Sequence, residues 1–366
     1  MFVIPWVRST LGVVLPGMIA AFDLSIREAG LASVALETGS VTTMLALSLF
    51  IDRIGPSRVV AWGLPIIGVA LAVAAFASSY AWLLGALVLH GVGVALTSSG
   101  VNAGIADTGA RRPVYLGILH AGFSLFSIVT PLIAGVVLVY GTWNGYYLMV
   151  AGLVFCVAIA YRVLAPPSVL PATAGAVVRF GNTGPVLRRI GGICLGTAVM
   201  AGIQGVLITW SYLYMAERYA TGHGLATLAP SAVWVGVLAG RTAMIWMSKH
   251  FSVRAMLLQG AVLAIAAVAV ECVFPSPGTA FAMMVFGGIG VSGAYQLGTA
   301  WAAERLPDRI GAASTFVMAS GALGIGAWPW LAGAVIETAS FAAMPYVMLG
   351  GLVLTVALFG WVKKSS

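Results

Sequence analysis

Charge is what this sequence has least of. Of its 366 residues only 8% are Asp, Glu, Lys or Arg, against roughly 25% in soluble domains. Hydrophobic residues make up 61% and the mean hydropathy is +1.04. So few charges cannot cover a water-facing surface, which excludes a soluble globule. Cysteine is scarce too. Cys156, Cys194 and Cys272 are odd in number, lie in apolar runs and show no ligand spacing, so neither a disulfide framework nor a metal centre is expected. The four histidines, His90, His120, His223 and His250, form no His-Glu-x-x-His pair, and no GxxxxGK[ST] loop occurs. A membrane-embedded hydrolase and a self-contained ATP-driven pump therefore both lack their machinery. No enzyme activity and no cofactor are expected.

What the chain has in abundance is long apolar runs. Runs near 20 residues recur along its length, each long enough to cross about 30 Å of hydrocarbon. They lack the alternation of a membrane barrel, and in lipid a backbone that is not a closed barrel must be helical. The fold class expected is an all-α polytopic membrane protein. About twelve spans are predicted: 2–22, 29–50, 59–78, 82–106, 114–139, 145–164, 190–214, 226–248, 255–274, 280–303, 310–336 and 341–361. The N-terminus has no basic region before its first apolar run, so 2–22 is read as a first helix and not as a cleaved signal.

The formal charge of +8 follows the loops. Fourteen of the 18 Lys and Arg fall in every second loop or at the C-terminus, and only Arg27 and Arg218 occupy the opposite loops. By the positive-inside rule both termini are cytoplasmic. The basic balance is a topology signal, so no nucleic-acid partner is expected; the partners are the lipid bilayer and a small-molecule substrate. Compact loops suggest the cell inner (plasma) membrane.

The longest polar interruption, "APPSVLPATAGAVVRFGNTGPVLRR", separates two six-span halves. This division gives an N-terminal half at 1–164, a cytoplasmic linker at 165–189 and a C-terminal half at 190–366. The halves echo one another: "TPLIAG" at 130–135 returns as "WPWLAG" at 328–333, "DTGARR" (107–112) as "ERLPDR" (304–309), and "DRIGPSR" (52–58) as "SKHFSVR" (248–254). The three offsets lie between 196 and 198 residues. Parallel six-span repeats are a transporter architecture, with the substrate site near the midplane between them.

On these residues the chain resembles the major facilitator superfamily over essentially its full length. "FIDRIGPSRVV" is similar to that family's loop 2–3 motif through Asp52, Arg53, Gly55 and Arg58, although Ser48 replaces its first Gly and Pro56 a later Arg. The resemblance implies a gating role for Asp52 and Arg53. Segments 102–135 and "WVGVLAGR" (234–241) resemble the fucose-permease-like branch. Drug–proton antiporters of the family carry an Arg in span 4 where this chain has "LVLHGVG", and their Gly-Pro motif in span 5 is here Thr130-Pro131. Multidrug export is accordingly disfavoured.

The few polar residues inside the runs are the candidate site. A charge at mid-bilayer costs about 2.5–3.5 kcal/mol on insertion scales, so it needs a partner or a wet cavity. Arg8 lies in span 1. Its long side chain can snorkel to the headgroups, or its guanidinium can pair both oxygens of a carboxylate. "RSTLGVVLP" resembles the first span of organic-anion carriers of the sialin type, which implies the second role. Arg241 in span 8 has a structural or a substrate role, and the depths of Arg8 and Glu37 differ enough that contact between them is not assumed. Glu37 in span 2 is a proton acceptor or a counter-ion. His120, with His90 behind it, is a further proton-coupling candidate because imidazole titrates nearest physiological pH. Asn102, Gln204, Gln296 and Trp210 are candidate ligand contacts, Trp210 being equally readable as part of an interfacial aromatic belt. Tyr214 is assigned to that belt, and Glu271 is expected to reach water.

The function expected is secondary active transport of a small organic anion by alternating access, with H⁺ as coupling ion and Na⁺ as the alternative. Neutral sugar or polyol transport, multidrug export and a transport-inactive sensor are the alternatives. The two halves already make a cavity, so a monomer suffices.

Overall fold

The computed structural model describes residues 2–47, 54–106, 112–164 and 183–362. Among the described residues there is no strand, and eleven helical segments are long and apolar enough to cross a membrane. In chain order, span 2 is Ile26–Leu47, span 3 Pro56–Ala75, span 4 Tyr80–Ala106, span 5 Arg112–Tyr140 and span 6 Trp143–Leu164. Span 7 is Thr183–Leu213, continued by a π-helical turn, Tyr214–Arg218. Spans 8 and 9 are His223–Met247 and Val253–Val273, and span 10 covers Pro277–Arg305. Spans 11 and 12 are Ile310–Ala339 and Met344–Trp361. Asp52, Arg53 and residues 165–182 of the expected linker lie outside the described residues, and the helix of span 7 already begins at Thr183.

Local chemistry starts several of these helices. Pro56 and Pro277 open spans 3 and 10, where a missing N–H costs nothing. Ser276 and Thr279 form a reciprocal capping box, and the Ser252 hydroxyl accepts from Ala255 N at 3.3 Å.

Two spans depart from the sequence expectation. Span 1 is not one helix but two, Pro5–Arg8 and Leu11–Phe22. Span 10 is likewise Pro277–Val291 and Ala294–Arg305, interrupted at Ser292 and Gly293. A broken helix in lipid must have its freed carbonyls satisfied from neighbours. In span 1 the freed carbonyl is that of Trp6, to which Tyr146 OH and Thr10 Oγ1 both donate (2.7 Å each), while Pro5 O keeps its helical bond from Ser9 N (3.0 Å) and gains a second donor in Thr130 Oγ1 (3.3 Å). Hydropathy is blind to such a break, because it averages over a window and the residues on both sides of it are mostly apolar.

The repeat seen in the sequence has a packing basis. Gly39 of span 2 abuts the carbonyl of Val88 in span 4, and Gly91 of span 4 abuts that of Leu36. Gly236 of span 8 meets Val285 O of span 10 in the same way, and Gly288 meets Val233 O. Each of these four positions and each partner carbonyl is shifted by 197 residues between the halves. A second reciprocal pair, Gly63 with Gly93 between spans 3 and 4, returns at the same offset as Gly260 with Gly290 between spans 9 and 10. Small residues at crossings let membrane helices come close enough for dispersion contacts, the force that remains when lipid is as apolar as the helix.

Across the two halves, span 2 packs along span 11, span 5 along span 8, and span 1 against span 7. The outward rim of the bundle carries apolar side chains such as Val136, Ile159, Leu195 and Val262, all exposed. Tyr140, Trp246 and Trp361 are exposed near span ends, as aromatic belts require.

Gly39→Ala is expected to lower the thermal unfolding midpoint of the detergent-solubilised protein by several degrees, because overpacking costs about 1–3 kcal/mol. Gly85→Ala, in the same helix pair but with nothing within 4 Å of its new methyl, should leave the midpoint unchanged or slightly raised. Equal midpoints for the two variants would remove the close crossing as the reason for the glycine.

Candidate functional site

A cavity of about 250 Å³ lies between the two sets of six spans, lined from spans 1, 2, 4 and 5 on one side and 7, 8, 10 and 11 on the other. Its lining is graded. Ser33, Glu37, Gln204 and Thr209 at one end are buried, whereas Asn102, His120 and Gln296 at the other are exposed. The exposed end faces the side of the bundle that carries both termini.

The other side is sealed. Arg27 N donates to Glu337 Oε2 at 2.8 Å, and its guanidinium lies 5.3 Å from the Trp330 ring centre. A methyl at Gly30 would sit 2.8 Å from the Trp330 Cα, so spans 2 and 11 touch backbone to backbone. Ser231 Oγ donates to Ile128 O at 2.8 Å between spans 8 and 5, and Ser33 and Thr209 share a 3.2 Å hydroxyl contact between spans 2 and 7. His223, expected in a loop, is instead the first residue of span 8. Its Nε2 donates to Gly135 O at 2.9 Å, and its Nδ1 lies 2.7 Å from Tyr212 OH.

Arg8 and Glu37 both line the cavity and form an ion pair with each other. This corrects two sequence readings. Arg8 turns inward to Glu37 and does not snorkel, and the two residues meet although their counted depths differ. Depth counted along a continuous helix fails where the helix is broken, and span 1 breaks directly after Arg8. Glu37 is buried, and its second oxygen has no hydrogen-bond partner among the described residues.

Arg241 is handled differently. It lines the same cavity, yet among the described residues no carboxylate pairs with it. One terminal nitrogen donates to Ser124 Oγ at 3.1 Å, and its buried Nε has no partner. Asn102, Gln204 and Gln296 also line the cavity, as does His120. The cavity thus gathers all the cavity-directed sequence candidates except Trp210. The indole of Trp210 is fully buried outside it and donates at 2.9 Å to the carbonyl of Pro329, the proline inside span 11.

Other readings need correction. Tyr214 is buried, not in an interfacial belt, and Glu271 is buried, not solvated. Tyr214 OH donates to Glu271 Oε1 at 2.6 Å, and Tyr219 OH donates to the same oxygen. The π-helical turn at Tyr214–Arg218 carries the end of span 7 toward span 9, a geometry no periodicity announces. His90 is buried, does not line the cavity, and has neither ring nitrogen partnered among the described residues. Residues missed by sequence reasoning are Ser124, Phe123, Trp234 and Tyr295, all except Ser124 lining the cavity. Trp234 had a signal: it stands seven residues before Arg241, on the same helix face.

The model of the Major Facilitator Superfamily matches residues 1–270, so the chain belongs to that family of membrane transporters. Solved structures agree in fold. The nucleoside transporter NupG superposes with a TM-score of 0.80 at 12% identity, over 100% of this chain and 97% of that one. A bacterial homolog of the human lysosomal transporter Spinster, inward-facing and occupied, gives 0.75 at 16% identity, covering 99% and 92%. The transporter FucP in its outward conformation gives 0.65 at 17% identity, covering 100% and 97%. No match to a curated protein sequence is found.

Removing one member of the Arg8–Glu37 pair leaves an uncompensated charge in a low-dielectric site. Glu37→Leu is expected to destabilise the solubilised protein by about 1–3 kcal/mol, with Arg8's partial exposure keeping it below a fully buried pair. The double variant Arg8→Met with Glu37→Leu should recover most of that loss. A double variant no more stable than either single one would show that the pair is not a coupled unit.

Proposed function

We propose that this protein is a secondary transporter that carries a small organic anion through the central cavity. The carrying observation is Arg241: a cavity-lining guanidinium with no carboxylate partner among the described residues and a buried Nε left unpartnered. A permanent cation in a membrane interior is costly unless an anion meets it. Arg8 already has its anion in Glu37, so Arg241 takes over the substrate contact that the sequence assigned first to Arg8. Asn102, Gln204 and Gln296 supply neutral hydrogen bonds around it.

The halves 1–164 and 190–366 rock about this site, with 165–189 as the connection between them. The distribution of basic loops supports an orientation with both termini cytoplasmic, and on that reading the open end of the cavity faces inward. The chain works as a monomer, because both walls of the cavity come from one polypeptide. Glu37 is the coupling group. Protonation of its carboxyl releases Arg8, deprotonation restores the pair, and His120 at the open end exchanges protons with water. Asp52 and Arg53 are assigned to gating on their motif alone.

Neutral sugar or polyol transport is the second reading, supported by the three cavity amides Asn102, Gln204 and Gln296. Both are tested by uptake into proteoliposomes with labelled carboxylates and labelled polyols. Arg241→Ala should reduce carboxylate transport at least about a hundredfold, since a charged hydrogen bond left unmade costs roughly 1.5–3 kcal/mol and loss of charge neutralisation adds to it. Polyol uptake that survives Arg241→Ala, with no carboxylate uptake in the parent protein, would overturn the anion reading. Absence of flux for every solute would favour the sensor.

Glu37→Gln keeps the shape of the side chain and removes its titration. Under the coupling scheme this variant loses accumulation driven by a pH gradient while still exchanging labelled for unlabelled substrate. Accumulation that persists in Glu37→Gln would move the coupling role elsewhere.

A further inference from the structure

Among the described residues, the titratable side chains that line the cavity are Arg8, Glu37, His120, Arg241 and Tyr295. Glu37 is the one carboxylate in that group. Span 1 brings Arg8 against it, and span 10 brings Tyr295 within electrostatic reach of both. Span 4 places His90 within reach of Arg8, whereas span 11 meets Glu37 at Gly326 and adds no charge. The two guanidiniums belong to opposite halves, Arg8 to span 1 and Arg241 to span 8. Neither is sealed in: the Arg8 side chain is 28% exposed, against 4% for Glu37, and Arg241 is half-buried. Arg8 gives one terminal nitrogen to Glu37, and Arg241 gives one to Ser124. Each keeps a second terminal nitrogen that is neither bonded among the described residues nor buried.

The charge balance of this site turns on Glu37. With its carboxylate ionised, Arg8 is neutralised and one positive charge remains, at Arg241. A single carboxylate from a ligand then completes the balance. With Glu37 protonated, as in the coupling scheme above, both guanidiniums stand uncompensated. A monoanion would then leave one unpaired cation in the membrane interior, which is the costly case. A dianion compensates both. The remaining groups do not alter this count, since Tyr295 is an uncharged phenol at neutral pH and His120 lies at the exposed end, where water meets its charge. Each guanidinium fork is also matched in shape to a carboxylate. Because the two arginines lie on different halves, a ligand with two carboxylates ties the halves together across the cavity, whereas a monocarboxylate at Arg241 engages one half alone.

We infer that the site takes a dicarboxylate together with one proton: one carboxylate pairs with Arg241, and the other replaces the protonated Glu37 at Arg8. The proton comes from water at the open end and rests on the Glu37 carboxyl while the ligand is bound; no bond of the ligand changes. In the empty site Glu37 occupies the place of the ligand's second carboxylate. Monocarboxylates bind at Arg241 and take up no proton. The inference rests on the anion reading above and narrows it to one substrate class, with Arg8 as the residue that distinguishes two carboxylates from one.

The test is calorimetric titration of the purified, monodisperse protein with fumarate, glutarate and adipate, with the monocarboxylate crotonate, and with sorbitol. At about pH 7 and above these acids are ionised, well past the ordinary carboxyl range, so a proton taken up on binding belongs to the protein. At about pH 7 the best-fitting dicarboxylate should bind about tenfold tighter than crotonate, the worth of one charged hydrogen bond. Titrations in buffers of different ionisation enthalpy should show close to one proton taken up with the dicarboxylate and none with crotonate. Uptake of a proton makes binding weaken as pH rises, so dicarboxylate affinity should fall by up to about tenfold from pH 7 to pH 8, while crotonate affinity holds. In the double variant Arg8→Met with Glu37→Leu, the preference for two carboxylates and the proton uptake should both vanish. Glu37→Gln should keep the preference and lose the pH dependence, and Arg241→Ala should abolish binding of every acid. If the acids bind but no dicarboxylate exceeds crotonate, or dicarboxylates bind without proton uptake, the dicarboxylate inference is wrong and the anion reading stands. If sorbitol binds and no acid does, or if none of the acids binds, the anion reading falls and the inference falls with it.

Discussion

Close approach of helix backbones at glycine crossings is the constraint on which the rest of this molecule depends. In water an apolar helix face is driven onto its neighbour; in lipid that drive is absent, and contact must come from fit. The crossings of spans 2 and 4 and of spans 3 and 4 are built from paired glycines, each seated on the other helix's carbonyl or its neighbour. The same crossings recur between spans 8 and 10 and between spans 9 and 10, displaced by 197 residues. Two six-span sets with matching glycine crossings follow, and the space where they face each other is the cavity. Moving a unit as a body requires that its internal contacts be tighter than those between the units. Reciprocal glycine packing holds spans 2, 3 and 4 and spans 8, 9 and 10 together, while the sealed side combines hydroxyl and carbonyl hydrogen bonds with a close crossing, Gly30 against Trp330.

The cavity concentrates the few charges the chain permits itself, and it treats them unequally. Arg8 and Glu37 neutralise one another across spans 1 and 2, so their cost of burial is shared. Arg241 is steadied by a serine hydroxyl and keeps its charge. One cavity cation is thus compensated within the described residues and the other is not. The break in span 1 supports this arrangement, since its freed Trp6 carbonyl is taken by Tyr146 and Thr10, and Arg8 ends the short helix at the cavity wall.

Composition determined that the chain sits in lipid, because 8% charge leaves no alternative solvent, and the lack of alternation in its apolar runs made the spans helical. The offset between "TPLIAG" and "WPWLAG" disclosed the repeat, and the scarcity of polar residues in the spans pointed to Arg8, Glu37, Gln204 and Arg241, all of which line one cavity. Sequence reaches this far since hydropathy and the cost of buried charge act residue by residue. Tertiary structure decided everything that depends on which residues meet. It broke spans 1 and 10, paired Arg8 with Glu37, and withdrew Trp210 to the Pro329 carbonyl. It also buried Glu271 beneath two tyrosines and left Arg241 and Trp234 with unanswered donors. A hydrogen-bond partner from another helix, more than a hundred residues away in some of these cases, leaves no periodic trace in the chain, so only the packed bundle could assign it.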